Sequence, residues 1–429
     1  MHGFSYKNGS LHCDDVDLAP LAAEHGTPLY VYSATTILDH YRRLDAALAG
    51  VDHEVAYAVK ANSNLSVLRL LANEGAGFDI VSGGELFRVI KAGGDPAHCT
   101  FAGVGKTREE IVYALEQGIY SFNVESEEEL RYLNEVAGEL GMIAPAAVRV
   151  NPNVDAKTHK YISTGKSENK FGVDFEDIAG LYERAAKELP NIKLRGLQMH
   201  IGSQLTSIAP FLEAVNKVAP LARQFKEVYG IEFWSIGGGI GIIYQNSLAS
   251  GGVDWWESQQ PEERPLTISR YGSEMVRLLK DLGLKILLEP GRLIVGNAGV
   301  LITRCLYEKK GRAKTFKIVD AGMNDLIRPA LYEGHHEIVP LKQARSDARV
   351  TMDVVGPICE SGDFFCQNRE LPDFQPGDSV ALMSAGAYGF AMASNYNSRP
   401  LPAEILVEGD VATVIRKRQK LEDLIEGEL

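Results

Sequence analysis

Lys60 closes the apolar run AYAVK. A lysine at the end of a buried strand loses hydration, which disfavours its ammonium form and frees the amine as a nucleophile. Along the same chain stand Asp79 with Ser82-Gly83-Gly84, Asn123, Arg149 with Asn151, His200 with Gly202-Ser203, Gly237-Gly238-Gly239, and Glu289-Pro290-Gly291-Arg292. One lysine, one histidine, an acid and two glycine-rich turns can hold a phosphate-bearing cofactor through backbone N–H groups while the lysine forms an imine. The clustered His/Asp/Glu spacing of a metal centre is missing from the set, so no metal is expected. Taken singly, each residue has a plainer reading. Lys60 could be a snorkelling lysine, the glycine triplet a flexible turn, His200 a satisfied core histidine, and Glu289 a helix cap or a partner of Arg292. Convergence at one place is what would make them a site.

The elements supply that convergence. From about residue 50 to 290 the chain repeats a short β-rich segment, a turn, then a helical pattern. Strands are expected at Glu54–Val59, Phe78–Val81, Thr100–Ala102, Ser121–Val124, Ala147–Val150, Leu194–His200, Glu232–Ile236 and Lys285–Leu288. Alternation of this kind implies right-handed parallel βαβ units. About eight units over about 250 residues is the scale of a (β/α)8 barrel, with an open doubly wound sheet as the competing topology. In a barrel, catalytic groups gather at the carboxyl ends of the strands, where every residue named above falls. The turns after strands seven and eight, here Gly237–Gly239 and Gly291, commonly grip phosphate.

After Pro290 the segments become short, Val/Ile-rich and separated by Gly, Pro or Asp, which reads as a mainly antiparallel β domain. The expected division is a barrel over 30–285, with 1–29 and 286–429 forming the β domain. Two long irregular segments, Asn151–Gly172 and Tyr244–Pro265 with Trp255 and Trp256, are of a length typical of lids, partner contacts or plain surface loops.

Of the 429 residues, 44 are basic and 57 acidic, a formal charge of −13 that disfavours nucleic acid and anionic membrane as partners. The longest apolar stretch, around Leu293–Ile302, is broken by Gly and Asn and falls short of the ~20 residues of a membrane span. Five cysteines (13, 99, 305, 359 and 366) without CxxC pairing argue against a disulfide scaffold or a structural zinc site. The start MHGFSYKNGSLHCDD lacks a basic n-region followed by an apolar h-region, so a cytoplasmic protein is expected.

At the motif level the chain becomes recognisable. AYAVKANSN around Lys60, HIGSQ at 200–204, GGG at 237–239, EPGR at 289–292, DAGMNDLIRPALY at 320–332, GPICESGD at 356–363 and the later GAYGFAMASNYNSRPLPAEILV resemble the diaminopimelate decarboxylases. These are fold-type III pyridoxal-phosphate enzymes related to ornithine and arginine decarboxylases and to alanine racemase. The resemblance runs in matching order from about residue 25 to 410. It implies an alanine racemase-like barrel plus β domain, pyridoxal 5'-phosphate as cofactor, and decarboxylation of meso-2,6-diaminopimelate to L-lysine, the last step of lysine synthesis by that route. The same chemistry on ornithine, arginine, lysine or carboxynorspermidine is the alternative.

By the same resemblance Lys60 carries the cofactor. Ser203, Gly238, Gly239, Gly291 and Arg292 hold its phosphate with help from Tyr388, His200 lies against its ring, and Glu289 faces the ring nitrogen. A carboxylate there keeps that nitrogen protonated and lets the ring accept the electron pair freed as CO2 leaves. Cys359 is the implied proton donor to the α-carbon, a role suited to a thiol with a tunable pKa. It is expected to act in the other subunit's site, making the protein a homodimer with shared sites. The substrate's distal end implies Arg292 and Arg328 for a carboxylate and Glu360 for an ammonium, with Tyr332 and Tyr388 lining the rest. The plainer reading of Arg328 is an ion pair with an acid such as Asp325. A relative that had lost turnover would commonly lack the lysine or the cysteine, and both are present.

Overall fold

In the computed structural model of the chain, residues 2–155, 170–260, 264–343 and 349–429 are described. They fall into two compact units, one of His40–Gly241 with Pro265–Leu293, the other of Met1–Asp39, Ile242–Arg264 and Ile294–Leu429.

The first unit is built on eight short strands: β1 (His53–Ala58), β2 (Gly77–Ile80), β3 (Cys99–Phe101), β4 (Ser121–Val124), β5 (Ala144–Asn151), β6 (Ile192–Gln198), β7 (Phe233–Ser235) and β8 (Lys285–Leu288). Each pairs in parallel with its successor, and β8 pairs in parallel with β1, so the sheet closes. This is the expected barrel. Closure rules out the open sheet, because neither β1 nor β8 is left as an edge.

The helices between strands form for local reasons. Ser82, Thr107 and Ser126 each accept a backbone N–H with their side chain at the start of Gly83–Ala92, Arg108–Gln117 and Glu127–Glu139. Thr107 and Glu110 complete a reciprocal capping box. Spacing of three to four apolar residues then buries one stripe, Leu130, Leu133, Val136 and Ala137 in the last of these. Since each helix follows a strand, its N-terminus, with unpaired N–H groups and partial positive charge, begins at the carboxyl end of the barrel. At the opposite end, Glu54 bridges Lys285 and His98, and Arg195 stacks over the Tyr120 ring at 4.2 Å. These contacts hold the barrel bottom and carry no chemistry.

The second unit centres on a sheet ordered Phe364–Pro372, Arg349–Val355, Thr315–Val319, Gly299–Lys310, Leu29–Ser33, Ala403–Glu408 and Val411–Arg416. Most pairings are antiparallel, as expected, but Thr315–Val319 with Arg349–Val355 and Leu29–Ser33 with Ala403–Glu408 are parallel. Short Val/Ile-rich segments read alike in both registers, so composition could not separate them. The N-terminal residues Phe4, Leu11, Leu18 and Leu29 share a core with Val300, Ile302 and Ile405. The segment Tyr244–Pro265 proves partly helical, over Val253–Ser258, where the Trp256 indole donates to Ser250 O at 2.8 Å. Among the described residues no helix is long and apolar enough to cross a membrane.

Candidate active site

At the end of β1 the chain passes through the single 3-10 turn Val59–Ala61, and Lys60 is its middle residue. Lys60 Nζ lies 2.6 Å from Oδ2 of Asp79 on β2, whose carboxylate has no exposure. The lysine side chain itself is 41% exposed. This corrects the expectation of a dehydrated amine. The turn lifts the side chain off the strand into the barrel mouth, so a buried carboxylate rather than loss of water sets its surroundings. Nearby, burial raises the Glu85 carboxyl to about 7 against the hydrogen bond it accepts from Val81 N–H.

Glu289 follows β8 and is buried. Ser235 Oγ donates to it at 2.6 Å, Gln198 Nε2 at 2.9 Å and Asn123 Nδ2 at 3.4 Å, from the ends of β7, β6 and β4. Burial pushes its carboxyl up to about 7; the charge of Asp79 pushes the same way, while Ser235, Lys60 and Gln198 oppose it. Because their N–H groups are committed to Glu289, the amide oxygens of Asn123 and Gln198 are fixed in orientation, and both are buried without a hydrogen-bond partner.

A stability test follows. The unfolded chain ionises Glu289 in the ordinary carboxylate range, whereas the folded chain keeps the proton up to about 7. Between those values the native state binds more protons, so folding stability falls as pH rises through this window. In cofactor-free protein, Glu289→Gln should therefore melt like the parent near about pH 5 and several degrees above it at about pH 8. The loaded variant should lose decarboxylation by about 10²-fold or more. A variant that melts below the parent at the higher pH would contradict this assignment.

His200 lies two residues beyond the end of β6, with Nδ1 accepting the Gly238 N–H at 3.2 Å. Burial pushes its pKa well down, and the cations Arg149 and Lys60 act in the same direction, leaving a neutral flat ring with its proton on Nε2. The glycine triplet is required by its surroundings. A Cβ at Gly238 would meet Glu289 O at 2.1 Å, and Gly239, at φ +104°, would meet Gly202 O at 2.3 Å. Arg292 donates through Nη2 to Ser203 Oγ at 3.0 Å. The barrel thus brings together Lys60, His200, Ser203, Gly238, Gly239, Glu289, Gly291 and Arg292.

Arg149, at a strand end, forms a buried ion pair with Glu125 at 2.9 Å, a partner that nothing in the sequence marks. The second Glu125 oxygen takes the Gly172 N–H at 2.8 Å, and Arg149 reaches His200 O at 3.4 Å. The return end of Asn151–Gly172 is fastened there. Residues 156–169, most of that long segment, lie outside the described residues, and with them its reading as a lid, partner contact or surface loop.

The remaining candidates lie in the second unit. Arg328 is buried at the start of the helical turn Arg328–Tyr332 and donates through Nη1 to His336 Nε2 at 2.7 Å. Asp325 accepts from Gly322 N–H at 2.9 Å and Asn324 Nδ2 at 3.1 Å. Cys359 and Glu360 are exposed on a loop organised by buried Asp363, which accepts the N–H groups of Met323 and Ile358. Cys359 N–H donates to Asn397 Oδ1 at 3.0 Å, and Tyr396 Oη donates to Glu360 at 2.5 Å. Tyr332 and Tyr388 are half-buried, the latter at φ +56°. Among the described residues no group of three His, Cys, Asp or Glu could hold a metal ion.

A ring-bearing phosphate fits the barrel set: an amine, an opposing buried carboxylate, a flat neutral imidazole and a glycine cradle at one mouth. Comparison with known proteins agrees. Residues 34–296 match the family description "Pyridoxal-dependent decarboxylase, pyridoxal binding domain". The chain is 47% identical over 427 residues to diaminopimelate decarboxylase of Vibrio cholerae, covering 99% of this chain and 98% of the relative. It is 48% identical over 429 residues to that of Pseudomonas aeruginosa, covering 100% and 99%. The crystal structure of diaminopimelate decarboxylase from Helicobacter pylori complexed with L-lysine superposes with a TM-score of 0.88 at 42% identity, covering 96% of this chain and 98% of that one.

Proposed function

Since the chain belongs to the diaminopimelate decarboxylases, within the pyridoxal-dependent decarboxylase family, we infer that it converts meso-2,6-diaminopimelate to L-lysine and CO2, the last step of lysine biosynthesis through diaminopimelate. Its cofactor is pyridoxal 5'-phosphate. The observation that carries the reading is the buried Glu289 carboxyl, held by three donors and within electrostatic reach of both Lys60 and Asp79.

When bound, the cofactor supplies a conjugated ring that accepts the electron pair of the breaking C–CO2 bond. Lys60 would anchor it, and Asp79, 2.6 Å from that amine, would pair with the amine when it is free and protonated. Glu289 would hold a proton at the ring nitrogen. His200, neutral and flat, would lie against the ring without adding a competing charge. N–H groups of Gly238, Gly239 and Gly291, with Ser203, Arg292 and Tyr388, would bind the phosphate. Arg292 and Arg328 take the distal carboxylate, Glu360 takes the distal ammonium, and Tyr332 and Tyr388 line the space around them.

Cys359 delivers the proton to the α-carbon, in the site of the other protomer of a homodimer. Its exposure on a single chain supports that arrangement, since a proton donor works best where a second surface shields it from water. A cytoplasmic location belongs to the same reading, supported by five free cysteines.

The test is a panel of diaminopimelate, ornithine, arginine and lysine with added pyridoxal phosphate, followed by CO2 release. Diaminopimelate alone should release CO2 and yield lysine. Turnover of another member in its place would overturn the assignment.

A further inference from the structure

Ser235, Gln198 and Asn123 all donate to the Glu289 carboxyl, but they are not equivalent. The Ser235 hydroxyl makes the shortest contact, 2.6 Å to Oε1, against 2.9 Å for Gln198 and 3.4 Å for Asn123. Among the described residues the amide oxygens of Gln198 and Asn123 are buried and take no hydrogen bond, so these two amides lean on the carboxyl without a second anchor.

Ser235 has one. Its Oγ accepts the Gly237 N–H at 3.3 Å, and the Glu289 N–H donates to Gly237 O at 2.9 Å. The Gly237 N–H can only donate, which leaves the single hydroxyl proton for Glu289. The contacts close on themselves: Gly237 to Ser235, Ser235 to the Glu289 side chain, and the Glu289 backbone back to Gly237. Strands β7 and β8 set the scale of this loop, since Ser235 pairs with Leu287 in parallel register and Ile236 N–H donates to Leu287 O at 3.0 Å. Gly237, at φ +73°, then turns the chain into the triplet, and a Cβ there would meet Met199 O at 2.3 Å. Ser235 has no solvent exposure, so water does not compete for its hydroxyl.

We propose that Ser235 is the positioning residue that ties the acid meeting the ring nitrogen to the glycine cradle meeting the phosphate, so that the two ends of the cofactor are received at one fixed spacing. This deepens the reading of Glu289 and rests on it.

The test uses cofactor-free protein and two ligands. Pyridoxine 5'-phosphate has the ring nitrogen but no aldehyde to react with Lys60, and benzyl phosphate has a ring and a phosphate but no ring nitrogen. Dissociation constants are read by titration calorimetry. Ser235→Ala should weaken pyridoxine 5'-phosphate by about tenfold or more, the cost of losing a hydrogen bond to a buried carboxyl. Benzyl phosphate should stay within about twofold, because it makes no use of Glu289. Ser235→Thr keeps the hydroxyl and should retain most of the parent's preference between the two. If Ser235→Ala folds poorly, Ser235→Cys fills a similar volume with a weak donor and should give the same selective loss.

Equal weakening of both ligands, or no weakening, would overturn the proposal. Glu289→Leu, which can neither donate nor accept, separates it from its premise. If that variant keeps the full preference for pyridoxine 5'-phosphate, the assignment of Glu289 to the ring nitrogen fails. If it abolishes the preference while the Ser235 variants preserve it, only the positioning role fails.

Discussion

Lys60→Ala will be purified without the visible absorbance that pyridoxal phosphate shows when covalently joined to a lysine, and its decarboxylation rate will fall by about 10⁴-fold or more. The amine of Lys60 lies 2.6 Å from the buried Asp79 carboxylate. The alanine variant also leaves a fully buried carboxylate without its cation, which costs stability by itself. Lys60→Arg separates the two effects. A guanidinium can still pair with Asp79, so the arginine variant should melt close to the parent while being as inactive as the alanine one, because it cannot serve as an amine nucleophile. A visible band persisting in either variant would move the anchor to another residue.

Cys359→Ala will keep that band and lose most turnover, about 10²- to 10⁴-fold, the range expected when one positioned proton donor is removed. The thiol is exposed on the single chain and the loop that carries it is organised by Asp363, so truncating it should leave the fold and cofactor affinity intact. The decisive measurement is complementation. Where Lys60 of one protomer works with Cys359 of the other, a heterodimer of Lys60→Ala and Cys359→Ala chains contains one intact site. Co-expression at equal levels should then restore about a quarter of parental activity, as half of the dimers are mixed and each has one good site of two. Mixed dimers that are isolated and remain inactive would show that each site is built from a single chain.

Much of this is legible in the amino-acid sequence. The barrel was legible because its strands repeat at the spacing of βαβ units, and the observed strand ends differ from the expected ones by no more than three residues. The helix starts were legible in Ser82, Thr107 and Ser126, whose hydroxyls act within three residues of themselves. Lys60, His200, the glycine triplet and Glu289 could be picked out because each sits where a strand ends.

What sequence could not supply was which side chains meet. A lysine at a strand end reads as dehydrated because strand burial is a local property, whereas Asp79, which governs the surroundings of Lys60, stands 19 residues away on the next strand. Glu289 draws on Ser235, Gln198 and Asn123 across 54, 91 and 166 residues. Nothing in Arg328 foretold that its Nη1 would meet His336 Nε2, or that Asp325 would accept the Gly322 N–H.

The sequence by itself thus determined the kinds of groups available, the period that closes a barrel, and the end of the barrel where those groups must gather, because chain geometry and hydrophobic spacing act over a few residues. Only the tertiary structure decided how charged each group is, which neighbour orients it, and which carboxyl keeps its proton. Those quantities depend on burial and on charges a few ångströms away, set by contacts between segments far apart along the chain.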